Sequence, residues 1–176
     1  ILLGYSAVFI LGWIDDTIGA SEPKGLGGHV KVWLYERKWT TGLLKACGIS
    51  TASFWVVLQL NSPWWALLFQ VILIALSANF LNLLDVRPGR AIKGFWLFAL
   101  LVSIVVYLPG SSGETQLWQY LMPFLVGTLF LLPLDLKAKG MLGDAGANLL
   151  GFAAGYAAVA AASYWLQLVL LLLLMS

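Results

Sequence analysis

Apolar runs of about 20 residues, repeated along the whole chain, limit what this sequence can fold into more than any other feature. The segment "WWALLFQVILIALSANFLNLL" (64–84) carries no charged side chain, and a helix of that length crosses the hydrocarbon core of a bilayer. On that ruler, spans are predicted at 1–14, 40–60, 63–84, 92–109, 117–134, 145–162 and 164–176, the first and last cut short. In lipid every backbone polar group must be bonded internally, and runs of this length achieve that as helices. The expected fold class is therefore all-α, a polytopic membrane helical bundle of about seven spans. Composition agrees: 61% of the residues are hydrophobic and 10% charged, whereas soluble domains carry about 25% charged residues. No repeat or linker divides the chain, so one transmembrane domain is expected over 1–176. The chain opens and closes inside apolar runs without an initial Met, the pattern of an internal part of a longer protein. The lone Cys47 excludes an internal disulfide and reads as a small buried residue.

The connections alternate in character. Residues 61–65, 109–116 and 161–164 are short and lack Lys and Arg, whereas 15–39, 85–93 and 135–144 are polar and basic. Alternate crossings bring the basic set to one side. All ten cations (Lys24, Lys31, Arg37, Lys38, Lys45, Arg87, Arg90, Lys93, Lys137 and Lys139) lie on or beside that side. Short loops rich in Lys and Arg stay in the cytoplasm, so this side is assigned there. Trp64, Trp65, Trp118 and Trp165 then fall at the outer interface, where an aromatic belt is expected.

Three polar motifs share the cytoplasmic side. The first is the Asp15-Asp16 pair in "GWIDDTIG". The second is "NFLNLLDVRPGR", whose Asn79, Asn82 and Asp85 recur at helical spacing and so share a stripe. The third is "GMLGDAGANLLG", in which Asp144 stands among glycines that permit close backbone approach to a ligand, just before a helix N-terminus that favours an anion. Each has an ordinary reading: Asp144 as a helix cap, Asn79 as an interhelical hydrogen bond, the Asp pair as a solvated loop. Their convergence at one membrane surface points instead to Mg²⁺, which takes oxygen ligands and is often shared with a substrate phosphate. Adjoining basic residues would hold the remaining phosphate oxygens. This describes phosphoryl transfer to or from a lipid.

In order, spacing and sidedness, "GWIDD", "NFLNLLD" and "MLGDAGANLLG" resemble the three signatures of the polyprenyl-phosphate N-acetylhexosamine-1-phosphate transferases, glycosyltransferase family 4. That superfamily includes phospho-MurNAc-pentapeptide transferase and the UDP-GlcNAc:undecaprenyl-phosphate GlcNAc-1-phosphate transferases. "EPKGLGGHVK" (22–31) is similar to the basic loop that follows the Asp pair in those enzymes. The resemblance implies Mg²⁺-dependent transfer (Mn²⁺ as a substitute) of a sugar-1-phosphate from a UDP-sugar to polyprenyl (undecaprenyl) phosphate. UMP would be released at the cytoplasmic face of a bacterial inner membrane, in cell-envelope glycan synthesis. It implies Asp15, Asp16, Asp85 and Asp144 as catalytic residues, with Asp144 and Asp16 on the metal. Asn79, Asn82, Arg87, Arg90, Lys24 and His29 are the implied substrate contacts. The expected partners are the lipid phosphate, the nucleotide sugar and membrane lipid, with a homodimer left open and no nucleic acid.

Two departures stand out. Relatives continue the second motif as D-G-x-D-G, whereas this chain reads "DVRPGR": Val86 replaces a Gly, Pro88 replaces an Asp of the nucleotide pocket, and Arg87 and Arg90 add positive charge. The His-rich cytoplasmic loop of relatives has no counterpart before Ser176. Two other readings remain at this stage: an altered relative that binds lipid phosphate without catalysis, and a transporter, which would place ionisable groups within the spans.

Overall fold

The computed structural model describes residues 1–18, 35, 37, 40–107 and 114–175. Its helices are α1 (Leu2–Ile18), α2 (Thr41–Leu58), α3 (Trp64–Leu84), α4 (Arg90–Val106), α5 (Glu114–Leu136), α6 (Gly143–Ala161) and α7 (Tyr164–Met175). No strand occurs among the described residues, and α2, α3 and residues 117–136 of α5 are each long and apolar enough to cross a membrane. The all-α membrane bundle is thus observed, with helix bounds within a few residues of the expected spans. Two boundaries differ in a way that matters. Helix α1 continues to Ile18, so Asp15 and Asp16 lie in its last turns rather than in a loop, and α6 starts at Gly143, so Asp144 lies in its first turn.

Helix α6 is the axis of the bundle, in contact with each of the other six described helices. Its sequence, "GDAGANLLGFAAGYAAVAA", is mostly Gly and Ala, and it is buried along nearly its whole length. Lipid tails are as apolar as Leu, so helices gain little by hiding apolar surface from them. Association depends instead on close packing, which small residues permit. A Cβ on Gly151 would stand 2.3 Å from the Ser77 carbonyl oxygen and 2.5 Å from the Ala78 Cα of α3. One turn on, a Cβ on Gly155 would stand 2.9 Å from the Ile74 Cα. On the opposite flank, a Cβ on Gly12 of α1 would meet the Ala145 Cα at 2.5 Å. Backbone lies on backbone at both seams, and larger side chains such as Phe95, Phe152, Leu73 and Leu121 fill the space around them.

The outer surface is apolar too, as lipid requires: Leu68, Phe130 and Leu172 are exposed. Cys47 is exposed rather than buried. The buried stripe of α2 runs through Gly42, Ile49, Ala52, Ser53 and Val56, and Cys47 falls off that stripe. At the end of the bundle away from the Asp pair, Trp64 and Trp165 open α3 and α7 at 84% and 79% exposure, in keeping with an interfacial belt. Nearby, a buried amide latch holds α7. Gln70 Nε2 donates to Gln167 Oε1 at 2.9 Å, and Gln167 Nε2 donates to the carbonyls of Val159 and Ala162 at 3.0 and 2.8 Å.

Two glycine substitutions separate packing from propensity. Gly151→Ala is expected to destabilise the bundle by about 1–3 kcal/mol, because the methyl meets backbone that must shift. Gly127→Ala on α5 meets nothing within 4 Å and is expected to be neutral or to stabilise by about 0.5–1 kcal/mol, the ordinary helix preference for Ala. Thermal unfolding of both variants in one detergent checks the pair; a Gly151→Ala protein as stable as the parent would contradict the close α3–α6 seam.

Candidate active site

The two aspartates of the first motif, one residue apart on α1, face different neighbours. Asp15 Oδ1 accepts from the Thr41 hydroxyl at 2.5 Å, and Asp15 Oδ2 lies 2.5 Å from Lys45 Nζ, both on α2. Asp16 turns to α6, where Oδ1 accepts from the Asp144 N–H at 2.9 Å and Oδ2 from the Ala145 N–H at 3.0 Å. Helix α6 has no side-chain cap of its own; its flanking residue is Leu142. Asp16 therefore caps α6 from a neighbouring helix, placing a carboxylate where unbonded N–H groups and the helix dipole favour negative charge. The glycine beside it serves this contact. Gly143 has φ +65°, and a Cβ there would lie 2.8 Å from Asp16 Oδ2. The anion expected at this helix N-terminus is part of the protein.

Lys45 connects the site. Its Nζ lies 2.5 Å from Oδ2 of Asp15 and 2.5 Å from Oδ2 of Asp144, on side chains that are mostly buried. Asn148, one turn beyond Asp144 and 1% exposed, adds a second connection. Its Nδ2 donates to the Asp144 carbonyl at 2.6 Å and to Asn82 Oδ1 at 3.3 Å. A carbonyl can only accept, so the Asn148 NH₂ group faces it, and Asn82 must present its amide oxygen to the same group. Asp15, Asp144 and Asn82 are thus joined by hydrogen-bonded links through Lys45 and Asn148.

A cavity of about 490 Å³ opens between α2 and α3 at this point. Lys45, Ser50, Asn79, Asn82 and Asn148 form its polar lining, and Ile49, Ala75, Leu76 and Leu83 are apolar. From Asn82 to Ala75 it follows α3 for seven residues, about 10 Å at 1.5 Å per residue. Asn79 and Asn82 share a wall, as their spacing predicts. Asp85 is the C-cap residue of α3. Burial lifts its pKa from an ordinary 3.8 to about 6; repulsion from Asp135 and Asp144 adds to the rise, and a hydrogen bond from the Gly143 backbone opposes it. The altered turn that follows is held from α5: Gly89, at φ +77°, donates its N–H to Asp135 Oδ2 at 2.7 Å. Arg87 on this turn and Arg90 at the start of α4 are exposed and do not line the cavity. Lys24 and His29 lie outside the described residues.

Sequence reasoning did not single out Lys45, Asn148, Thr41 or Asp135. Lys45 had a usable signal, as the sole charged residue in the otherwise apolar α2, where an ionisable group marks function by default. Asn148 had a weaker one, four residues after Asp144 on the same helical face. Nothing local in the sequence ties Asp135 to Gly89 or Thr41 to Asp15.

Two measurements test this geometry. Asp16→Ala removes the side-chain cap of α6 and is expected to cost about 1 kcal/mol of stability, a usual value for a lost N-cap, visible as a lower melting temperature. For Asp85, the folded protein holds the proton more tightly than the unfolded chain. The stability linked to it is full below about pH 3.8 and is lost as pH rises through about 6. Asp85→Asn, permanently uncharged, should melt above the parent near pH 8 and level with it near pH 4, in chelator throughout. Equal melting at both pH values would show that Asp85 titrates normally.

The pattern of glycosyl transferase family 4 matches residues 1–162, taking in all three motifs and the first six helices. No solved structure gives a significant match. With the site at the polar end of a membrane bundle and the family pattern covering nearly the whole chain, the protein belongs to glycosyl transferase family 4, whose members are polyprenyl-phosphate sugar-phosphate transferases.

Proposed function

We propose that this protein transfers an N-acetylhexosamine-1-phosphate from a UDP-sugar to a polyprenyl phosphate, releasing UMP, with Mg²⁺ as cofactor, at the cytoplasmic face of a bacterial inner membrane. The observation that carries the proposal is the Asp15–Lys45–Asp144 cluster beside an α2–α3 cavity that combines a polar lining with apolar walls. An amphiphile with a phosphate head and an isoprenoid tail has that distribution of polarity.

The donor set fits the metal. Asp15 and Asp144 offer hard carboxylate oxygens that converge on one point, and Asn82 turns an amide oxygen toward the same helix. Mg²⁺ is usually held by one or two carboxylates and completed by water and substrate phosphate, so this pair would suffice to hold it. In this reading Asp15, not Asp16, pairs with Asp144, because both Asp16 oxygens already bond α6. Bound there, the ion would neutralise charge on the phosphoryl oxygens.

The chain's own residues do the rest. Lys45 offers a cation to the lipid phosphate, and Asn79 and Asn82 line its path. An oxygen of that phosphate attacks the sugar-bearing β-phosphorus; the bond from this phosphorus to the bridging oxygen breaks, and UMP departs with that oxygen. A phosphate monoester with a second pKa near 6 is largely deprotonated at neutral pH, so no strong base is required. Positioning and charge neutralisation supply most of the catalysis in such transfers. Asp85 stands on the nucleotide side, with Arg87 and Arg90 exposed where they would meet donor phosphates from water.

An exchange assay on the full-length protein, with Mg²⁺, polyprenyl phosphate and a panel of nucleotide sugars, tests the proposal through nucleoside monophosphate release. UMP release from a simple UDP-N-acetylhexosamine is expected to exceed that from UDP-MurNAc-pentapeptide, and Asp144→Asn should lower it by about 10²-fold or more, the scale on which a charge-stabilising group matters. No release from any donor would overturn the proposal and favour a lipid-phosphate binder.

A further inference from the structure

We infer that Lys45 and a divalent cation are alternative occupants of the Asp15–Asp144 pair, so that loading the cation drives the lysine out and turns its charge toward the α2–α3 cavity. This deepens the metal-dependent reading above and rests on it. Lys45 Nζ is 2.5 Å from Oδ2 of each carboxylate, so those oxygens are at most 5.0 Å apart (twice 2.5 Å). A Mg²⁺ held by both carboxylates would need the space the ammonium fills. Two cations cannot share that position, on grounds of volume and of charge.

The members of the cluster differ in their freedom to move. Asp15 is held from behind by Thr41. The peptide groups of Asp144 are held by Asp16 on one side and Asn148 on the other. Lys45 is a flexible four-carbon stem with a point charge and no bidentate lock, so it is the member that yields. Its side chain already borders the cavity, where Asn79, Asn82 and Asn148 provide neutral polar surroundings and Gly42 and Ala46 leave room. With no divalent ion present, the lysine offsets the repulsion between the two carboxylates. With the ion present, the same lysine becomes the partner of an incoming phosphate. Cation and phosphate binding are thereby coupled, and the coupling is reciprocal.

The test uses the full-length protein in detergent and two readouts that need no turnover. Mn²⁺ affinity, followed by electron paramagnetic resonance, should rise roughly tenfold in Lys45→Gln, because a competing charge at contact distance is removed. Labelling of Lys45 by an amine-reactive reagent, followed by mass spectrometry, should be slow in chelator and several-fold faster in Mg²⁺, while the exposed Lys93 reacts at one rate in both. If Mn²⁺ binds neither protein, the metal reading falls, and this inference with it. If Mn²⁺ binds but Mg²⁺ leaves Lys45 labelling unchanged or slower, the exchange is overturned and the metal reading stands.

Discussion

One carboxylate on the end of one helix sets the geometry of the site. Helix α6 begins at a glycine in a left-handed conformation, with no side chain of its own to bond its first N–H groups. Asp16 supplies both oxygens from α1. The contact fixes where α6 starts, and α6 touches every other described helix. Because Gly12 on the same face of α1 lies against the Ala145 backbone, the two helices are joined at this end of the bundle by packing and hydrogen bonding together. Asp144 is in the first turn of the helix so held, and its position follows from the cap.

That arrangement accounts for two like charges side by side. Successive residues on a helix point about 100° apart, and here the two directions lead to α2 and to α6. Asp15 finds a lysine and a hydroxyl, while Asp16 finds two N–H groups at the positive end of a helix dipole. Each charge is compensated separately. The adjacent pair is therefore two different devices in consecutive positions, one paired with a lysine that lines the cavity and one holding the frame.

The spans were legible in the sequence because lipid leaves a long apolar run few alternatives, and the polar end was legible because charge is scarce elsewhere. The three motifs named Asp15, Asn82 and Asp144 for the same reason. Their neighbours were harder to see. Lys45 entered the topology as one more cation on the basic side, although its five-residue depth in an apolar helix set it apart. The glycines before α6 suggested room for a ligand, while at Gly143 the room is taken by Asp16. Thr41, Asn148 and Asp135 act through contacts with residues 26, 66 and 46 positions away, and local periodicity does not report such distances.

The bond from Gly89 to Asp135 links the altered second motif to a helix that carries none of the three motifs. Gly89 takes a backbone conformation that other residues resist, and its N–H ends on a carboxylate that is 1% exposed. Neither partner is well served alone: a buried carboxylate without its donor is costly, and the turn without its acceptor loses its anchor. In evolutionary terms positions 89 and 135 are expected to change together. Family members that keep an acidic residue at the second site should keep glycine at the first, and those with a different turn should carry a different residue at the end of α5.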